Sequence, residues 1–351
     1  MTYQQKTKAI WLRRMINSTA VASVFVSSFG ALAMAEPIEL VYNIFIPSQA
    51  PIVSEGLIPW ARDVEAASNG TLKLTIPTSS IAPTPQLWDA VEDGLADIAL
   101  VVNTFRSNQV TLPAILNIPL VDANAEQASR ALWETHYKYF DAANEFGDLI
   151  PLGGFTTNGP HLMSVSKHVN NLEDLSGMKV RVEGANIVDL FDSLGATALG
   201  ATGLDSFELL TGGIADAALA PFGSAVVQGQ VGVTNEITTF PGGFSRSGFT
   251  LVMNRDKFES LPEDAQNALL SVSGVDLSAR LGAIVDMEEV DGRETFLADG
   301  ANITAAGPEF VDAVRQKGQF IVDQWLEAAT ARDLNAQEVL DFYYARIEAS
   351  K

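Results

Sequence analysis

One short pattern occurs twice in this chain. Residues 88–100 read Trp-Asp-Ala-Val-Glu-Asp-Gly-Leu-Ala-Asp-Ile-Ala-Leu, and residues 207–219 read Phe-Glu-Leu-Leu-Thr-Gly-Gly-Ile-Ala-Asp-Ala-Ala-Leu. In each copy an aromatic residue stands six positions before a glycine, Gly94 or Gly213, and Gly-x-Ala-Asp then leads into an apolar run. A glycine in that place ends a helix in the left-handed backbone conformation, and the apolar run after it reads as a buried strand. A chain that makes the same helix-to-strand turn twice, 119 positions apart, is steered towards two similar α/β lobes.

The remaining pattern fits two lobes. Strands are expected at 38–45, 72–76, 98–102, 150–155, 178–182 and 249–253, alternating with helices at 52–67, 85–93, 125–146 and 187–194. Thr84 is placed to cap the second of these helices, with Pro85 at its first position. From 262 to 298 the apolar period is helical almost without interruption, and Gly300 would terminate it. At ~1.5 Å per residue such a helix would run to roughly 55 Å, longer than one domain, so it is expected to bridge both lobes. Gly274, Gly282 and Gly292 leave room for a kinked pair of helices instead. Two further helices, 308–332 and 335–348, finish the chain. Lobe I is read as 36–158 plus 247–285 and lobe II as 159–246 plus 286–351, with the C-terminal helices packing across both.

The first 35 residues read as a secretory leader. Four cationic residues and no acid precede a weakly apolar stretch, broken by Asn17, Ser18 and Ser23, that ends at Ala33-Met34-Ala35. It falls short of the ~20 strongly apolar residues of a membrane-spanning helix, so export with cleavage after Ala35 is expected. Arg13-Arg14 raises the twin-arginine route, but its surroundings fit the ordinary secretory route better. Removing the leader leaves 18 Lys and Arg against 43 Asp and Glu, a formal charge of −25. Such a surface repels nucleic acid and anionic lipid, and no membrane insertion is expected of the mature chain. A bound carboxylate must then be held by a local cation inside a cleft. The absence of cysteine excludes disulfides, thiolate metal sites and cysteine nucleophiles together, so stability must come from the core.

Arg181 is the cation that stands out. It lies in the strand pattern Met178, Val180, Val182, and an alternation of period two places Lys179, Arg181 and Glu183 on the opposite face. Such a face is either solvated or turned to a ligand.

Several segments in order carry a family resemblance: Trp60 to Gly70 before a strand, Val91 to Asp97, Asp174-Leu-Ser-Gly-Met-Lys-Val-Arg-Val182, Leu194-Gly-Ala196, Gly213 to Asp216, Met253-Asn254 and Leu261-Pro-Glu-Asp-Ala-Gln266. Together they cover essentially the whole mature chain, which resembles the solute-binding proteins of tripartite ATP-independent periplasmic (TRAP) transporters, the DctP-like family that includes C4-dicarboxylate and sialic-acid binders. The resemblance implies the two-lobed periplasmic binding protein fold with a long helix spanning both lobes. It also implies a periplasmic location and a small and a large membrane subunit as partners, driven by a cation gradient. In that family the arginine of the DLxGxKxR motif pairs with the ligand carboxylate, and Arg181 occupies its position. The chemistry is reasonable on its own terms, since a guanidinium offers two parallel donors and keeps its charge.

Departures from the pattern bear on the ligand. Where sialic-acid binders carry a second arginine after an Asn-Gly pair, this chain has Asn158-Gly-Pro-His161, so His161 would either donate to the ligand or cap a strand. Leu219-Ala-Pro221 replaces an Asn-Pro of those members, which points to a ligand less polar than a sugar acid. Phe45, Asn103, Phe222 and Arg246 follow strands or lie near lobe crossings, and complete the candidate set of substrate-binding residues.

Enzyme readings find little support. His136, His161 and His168 form no metal-binding spacing, residues 242–248 miss the spacing of a nucleophile elbow, and 195–203 lacks a dinucleotide-binding arrangement. No catalytic residue, metal or cofactor is expected. The reading is a monomeric periplasmic receptor that captures a small organic acid and hands it to the membrane subunits. A ligand sensor for a membrane receptor and, less favoured, a periplasmic hydrolase are the alternatives.

Overall fold

The structure, a computed structural model, describes residues 36–351. The leader and its cleavage site at Ala35 lie outside the described residues.

Alternating and continuous apolar runs build two mixed sheets. The first takes β1 (Ile38–Asn43), β2 (Leu72–Thr75), β3 (Ile98–Val102), β4 (Leu149–Thr156) and β10 (Gly248–Asn254), in the order β2-β1-β3-β10-β4. The second takes β5 (His161–Ser164), β6 (Lys179–Val182), β7 (Thr197–Gly200), β8 (Ala217–Ala220), β9 (Glu236–Thr239) and β11 (Asn302–Ala305), in the order β11-β9-β5-β8-β6-β7. In each sheet the strand reached from the repeated turn lies parallel to an earlier one, β3 to β1 and β8 to β6.

The repeat in the sequence has a structural cause. Gly94 and Gly213 both have positive φ, +71° and +67°. The aspartate three residues later then clamps the neighbouring parallel strand. Asp97 donates its N–H to the Val41 carbonyl at 3.0 Å, and its carboxylate accepts the Val41 N–H at 2.7 Å. Asp216 repeats the pair on Lys179, at 2.8 Å for both bonds. The alanine before each aspartate is buried, so the motif sets both the direction and the register of the next strand.

The chain passes between the sheets three times, at 157–160, at 240–247 and through a long helix, Val275–Ala298. That helix has 24 residues, ~36 Å at 1.5 Å each, and is separated from the preceding Glu263–Ser271 helix at Gly274, whose φ is +82°. Of the three glycines that allowed a break, only Gly274 is used. The other two let the helix come close to its neighbours: a Cβ at Gly282 would stand 2.6 Å from the Ala125 carbonyl oxygen, and one at Gly292 would stand 2.6 Å from the Phe222 carbonyl carbon. Leu277, Leu281 and Ile284 enter the core of the first sheet, while Phe296 enters a cluster of the second with Met163 and Phe222.

Two carboxylates of this helix serve helix N-termini on either side. Asp286 accepts the N–H groups of Ala125 and Glu126 at 2.8 and 2.9 Å, at the start of the Ala125–Thr135 helix. Glu289 accepts the N–H of Gly223 at 3.0 Å, at the start of the Phe222–Val227 helix. An acid at a helix N-terminus satisfies orphan donors and complements the helix dipole.

Beyond β11 the chain straps the whole together. Phe310 and Val314, on the Pro308–Lys317 helix, pack into the second sheet's core. Trp325, Val339 and Tyr343 pack on Leu112, Ile115 and Leu132 beside the first sheet. The helix expected at 308–332 is divided at Gly318, and that expected at 125–146 ends as regular α-helix at Thr135, continuing as a wider turn and then a tight one to Asn144. Strands β5, β7, β9 and β11, four residues each, have no counterpart in the sequence reading.

Candidate functional site

Arg181 sits on β6, level with Leu199 of β7 and Ala218 of β8. Lys179 and Glu183 on the same face are exposed, as alternation requires, but Arg181 is only 2% exposed. Its Nε donates to the carbonyls of Ala201 and Thr202, both at 3.1 Å, and Nη1 donates to that of Leu219 at 2.7 Å. Nη2 pairs with the Glu183 carboxylate at 3.1 Å. Three backbone oxygens therefore orient the fork, and one N–H on each Nη remains beyond these bonds. Burial pushes the guanidinium pKa down, opposed by Glu183 and then by Asp205, and an arginine so placed still keeps its charge. A Cβ at Gly203 would crowd the end of the Gln228 side chain and stand 3.3 Å from Arg181 Nη2.

The Arg181 side chain forms part of the wall of a cavity of about 550 Å³. The second sheet contributes the ends of β6 and β8, with Glu183 and Leu219–Pro221, and the following helix adds Ser224 and Gln228. Thr104, Phe105 and Ser107 come from the segment after β3, and Thr157, Pro160 and Ser245–Ser247 from the two short crossings. The walls thus come from the second sheet, from the segment after β3 of the first sheet and from the crossings that join the two. Phe105 is 49% exposed, an aromatic ring held out of the core.

Arg246 also reaches this cavity, and its two Nη groups are tied to backbone. It donates to the carbonyls of Thr157 at 3.1 Å, Gly242 at 3.2 Å, Val121 at 3.5 Å and Ala123. Burial pushes its pKa down as well. Four carbonyl partners from three segments make it a tie across the crossings.

The structure brings Asn158 and His161 to a neighbouring cavity of about 340 Å³, which shares Arg246 with the first. Asn158 donates to Asp286 at 2.9 Å. His161 Nδ1 accepts the Phe240 N–H at 3.3 Å, and its ring lies 5.5 Å from that of Phe222. Burial, then Arg246 and Arg293, push its pKa down to about 4, so it is a neutral ring near pH 7. Phe45, Asn103 and Phe222 are not brought to the cavity wall. Phe45 stacks on Phe249 at 6.5 Å, Asn103 accepts the Thr250 hydroxyl at 2.8 Å, and Phe222 packs edge-on to Phe296 at 5.9 Å. Phe105, Glu183, Ser224 and Gln228 were missed in the sequence. A signal for two of them was present, because Phe105 and Ser224 stand 119 positions apart, the spacing of the repeat.

Residues 45–328 match the family model described as bacterial extracellular solute-binding protein, family 7. A curated relative from Comamonas testosteroni, named outer membrane transporter protein TsaT, is 27% identical over 340 residues, 97% of this chain and 99% of that protein. Among solved structures, a TRAP periplasmic solute-binding protein from Bordetella bronchiseptica with bound (R)- and (S)-mandelate is 27% identical with a TM-score of 0.81, covering 90% of this chain and 100% of that one. A marine-metagenome TRAP solute-binding protein specific for aromatic acid ligands, with 3-hydroxybenzoate, is 25% identical with a TM-score of 0.78, covering 90% and 99%.

Proposed function

For a chain that belongs to family 7 of the bacterial extracellular solute-binding proteins, the DctP-like binding proteins of TRAP transporters, we propose that the ligand is a small aromatic or arylaliphatic carboxylic acid. The family is one of transporter binding proteins and not of enzymes, and it works with TRAP membrane subunits. One observation carries the reading: the oriented Arg181 fork at the wall of a cavity made by both lobes.

The chemistry of the walls narrows the ligand. Arg181 supplies the donors for one carboxylate, and hydrogen bonds to a charged group are worth roughly 1.5–3 kcal/mol each. Around it stand Leu219, Ala220, Pro221 and the exposed ring of Phe105, which favour an apolar or aromatic body. The mandelate and 3-hydroxybenzoate bound by the two similar proteins fit that description. A ligand touching both lobes makes more contacts when they are closed, so binding favours the closed arrangement and presents it to the membrane subunits for release into transport. Cleavage after Ala35 and a monomeric state complete the proposal.

A thermal-shift panel of benzoate, 3-hydroxybenzoate, mandelate, succinate, a sugar acid and a neutral sugar, run on the protein exported with its own leader, tests this. Ligand at 100 times its dissociation constant adds ~2.7 kcal/mol of stability. Shifts confined to the aromatic acids support the reading, and shifts confined to the neutral sugar contradict it.

A further inference from the structure

The charge balance of the cavity carries a further step, which rests on the carboxylate reading above. The charged side chains on its walls are Arg181, Arg246 and Glu183. Arg246 is tied through its Nη groups to four backbone carbonyls and is 5% exposed, and carbonyl partners leave its positive charge uncancelled. The walls therefore carry two positive charges and one negative, and Glu183 stands 3.1 Å from Arg181 Nη2. Asp205, the other acid that acts on Arg181, is held by the Thr202 N–H and hydroxyl at 3.2 and 2.8 Å.

Glu183 is not a structural partner in the ordinary sense. Its side chain is 66% exposed while that of Arg181 is 2% exposed, and Arg181 is already fixed by three backbone carbonyls without it. An ion pair with one end in water contributes little to stability. Its carboxylate nevertheless lines the cavity at the anchor, where it adds negative charge to the space the ligand's own charge must enter.

We propose that Glu183 is a specificity-determining residue that restricts this cavity to singly charged acids. A monoanion takes the free donors of Arg181 and neutralises the single net positive charge of the walls. A dianion brings a second charge in excess of that balance, and Glu183 repels it. At a separation of about 7 Å and an effective dielectric of roughly 20 to 40, that repulsion amounts to about ten- to fifty-fold in affinity.

The test compares 4-nitrobenzoate with terephthalate, which share a shape and differ by one charge, in calorimetric titrations of wild type, Glu183→Gln and Glu259→Gln. Glu259 is an exposed acid on the Arg255–Ser260 helix, outside the cavity walls, and controls for net charge. The expected result is that wild type and Glu259→Gln prefer the monoanion by at least tenfold, and that Glu183→Gln narrows the preference by fivefold or more. An unchanged preference in Glu183→Gln, or an equal narrowing in Glu259→Gln, overturns the role of Glu183 while monoanion binding leaves the carboxylate reading standing. Binding of neither acid to wild type contradicts the carboxylate reading itself, and this inference with it.

Discussion

Arg181 donates from Nη1 to the carbonyl oxygen of Leu219 across the second sheet, at 2.7 Å. The bond joins the strand of the DLxGxKxR motif to the last residue of the second copy of the repeat. With Ala201 and Thr202 it gives the buried guanidinium three backbone acceptors, so the head group is positioned by main chain. Replacing Arg181 by Met strips those carbonyls of their donor. We expect a loss of about 2–3 kcal/mol in urea denaturation without any ligand added, where a solvated surface arginine would cost within ~0.5 kcal/mol.

Asp286 holds the N-terminus of the Ala125–Thr135 helix and the side chain of Asn158 from a helix that serves both lobes. Asp286→Ala leaves two backbone donors and an amide unpartnered. A destabilisation of roughly 2–3 kcal/mol is expected, with Asp286→Asn losing less because one acceptor oxygen survives. Denaturant midpoints of the two variants against wild type check this, and equal loss in both would argue that charge alone matters.

Glycine in a helix interior normally yields stability when changed to alanine, by about 0.5–1 kcal/mol. Gly292→Ala should do the reverse. Its Cβ would meet main-chain atoms of Phe222 and Gly223 at 2.6 and 2.7 Å, and backbone cannot move aside as a flexible side chain can. A loss of ~1–3 kcal/mol is expected, read as a lowered melting temperature. A raised melting temperature would show that the long helix does not make this close crossing.

His136 lies buried among Trp133, Tyr137, Phe140 and Phe146, and burial pushes its pKa from 6.5 down to about 4, against a small opposing pull from Asp141. Between those values the unfolded chain binds a proton that the folded chain does not. Stability from this group is therefore full above pH 6.5 and falls as the pH drops towards 4, by about 2 kcal/mol between pH 7 and pH 5. Urea midpoints of wild type and His136→Phe at the two pH values check the sign, since the variant should lose less on acidification.

What was legible in the sequence followed physical strength of signal. The Gly-x-Ala-Asp repeat was readable because a positive-φ glycine and a clamping aspartate are needed at fixed spacing, as Asp97 and Asp216 now show. The two-lobed α/β architecture and the long helix followed from that and from the family motifs. Strands such as β7, Thr197–Gly200, were not readable, because four residues with a glycine carry almost no period-two signal. The cavity was read partly. Asn103 and Phe222 were placed by the rule that ligands gather after strand ends, and they too are 119 apart. The chain turns so that these two pack inward, and the positions two residues on, Phe105 and Ser224, face the cavity. Which side chain of a post-strand turn faces a cleft depends on the path of the following helix, and local pattern does not encode it.

The most direct test of the account is the affinity of the best aromatic acid for wild type and for Arg181→Lys, measured by calorimetry. Lysine keeps the charge and loses the planar fork. A weakening of at least thirtyfold, about 2 kcal/mol, is expected from loss of a bidentate charge-assisted pair. Undiminished affinity in Arg181→Lys, with the variant folded, would contradict the claim that the oriented guanidinium anchors the ligand.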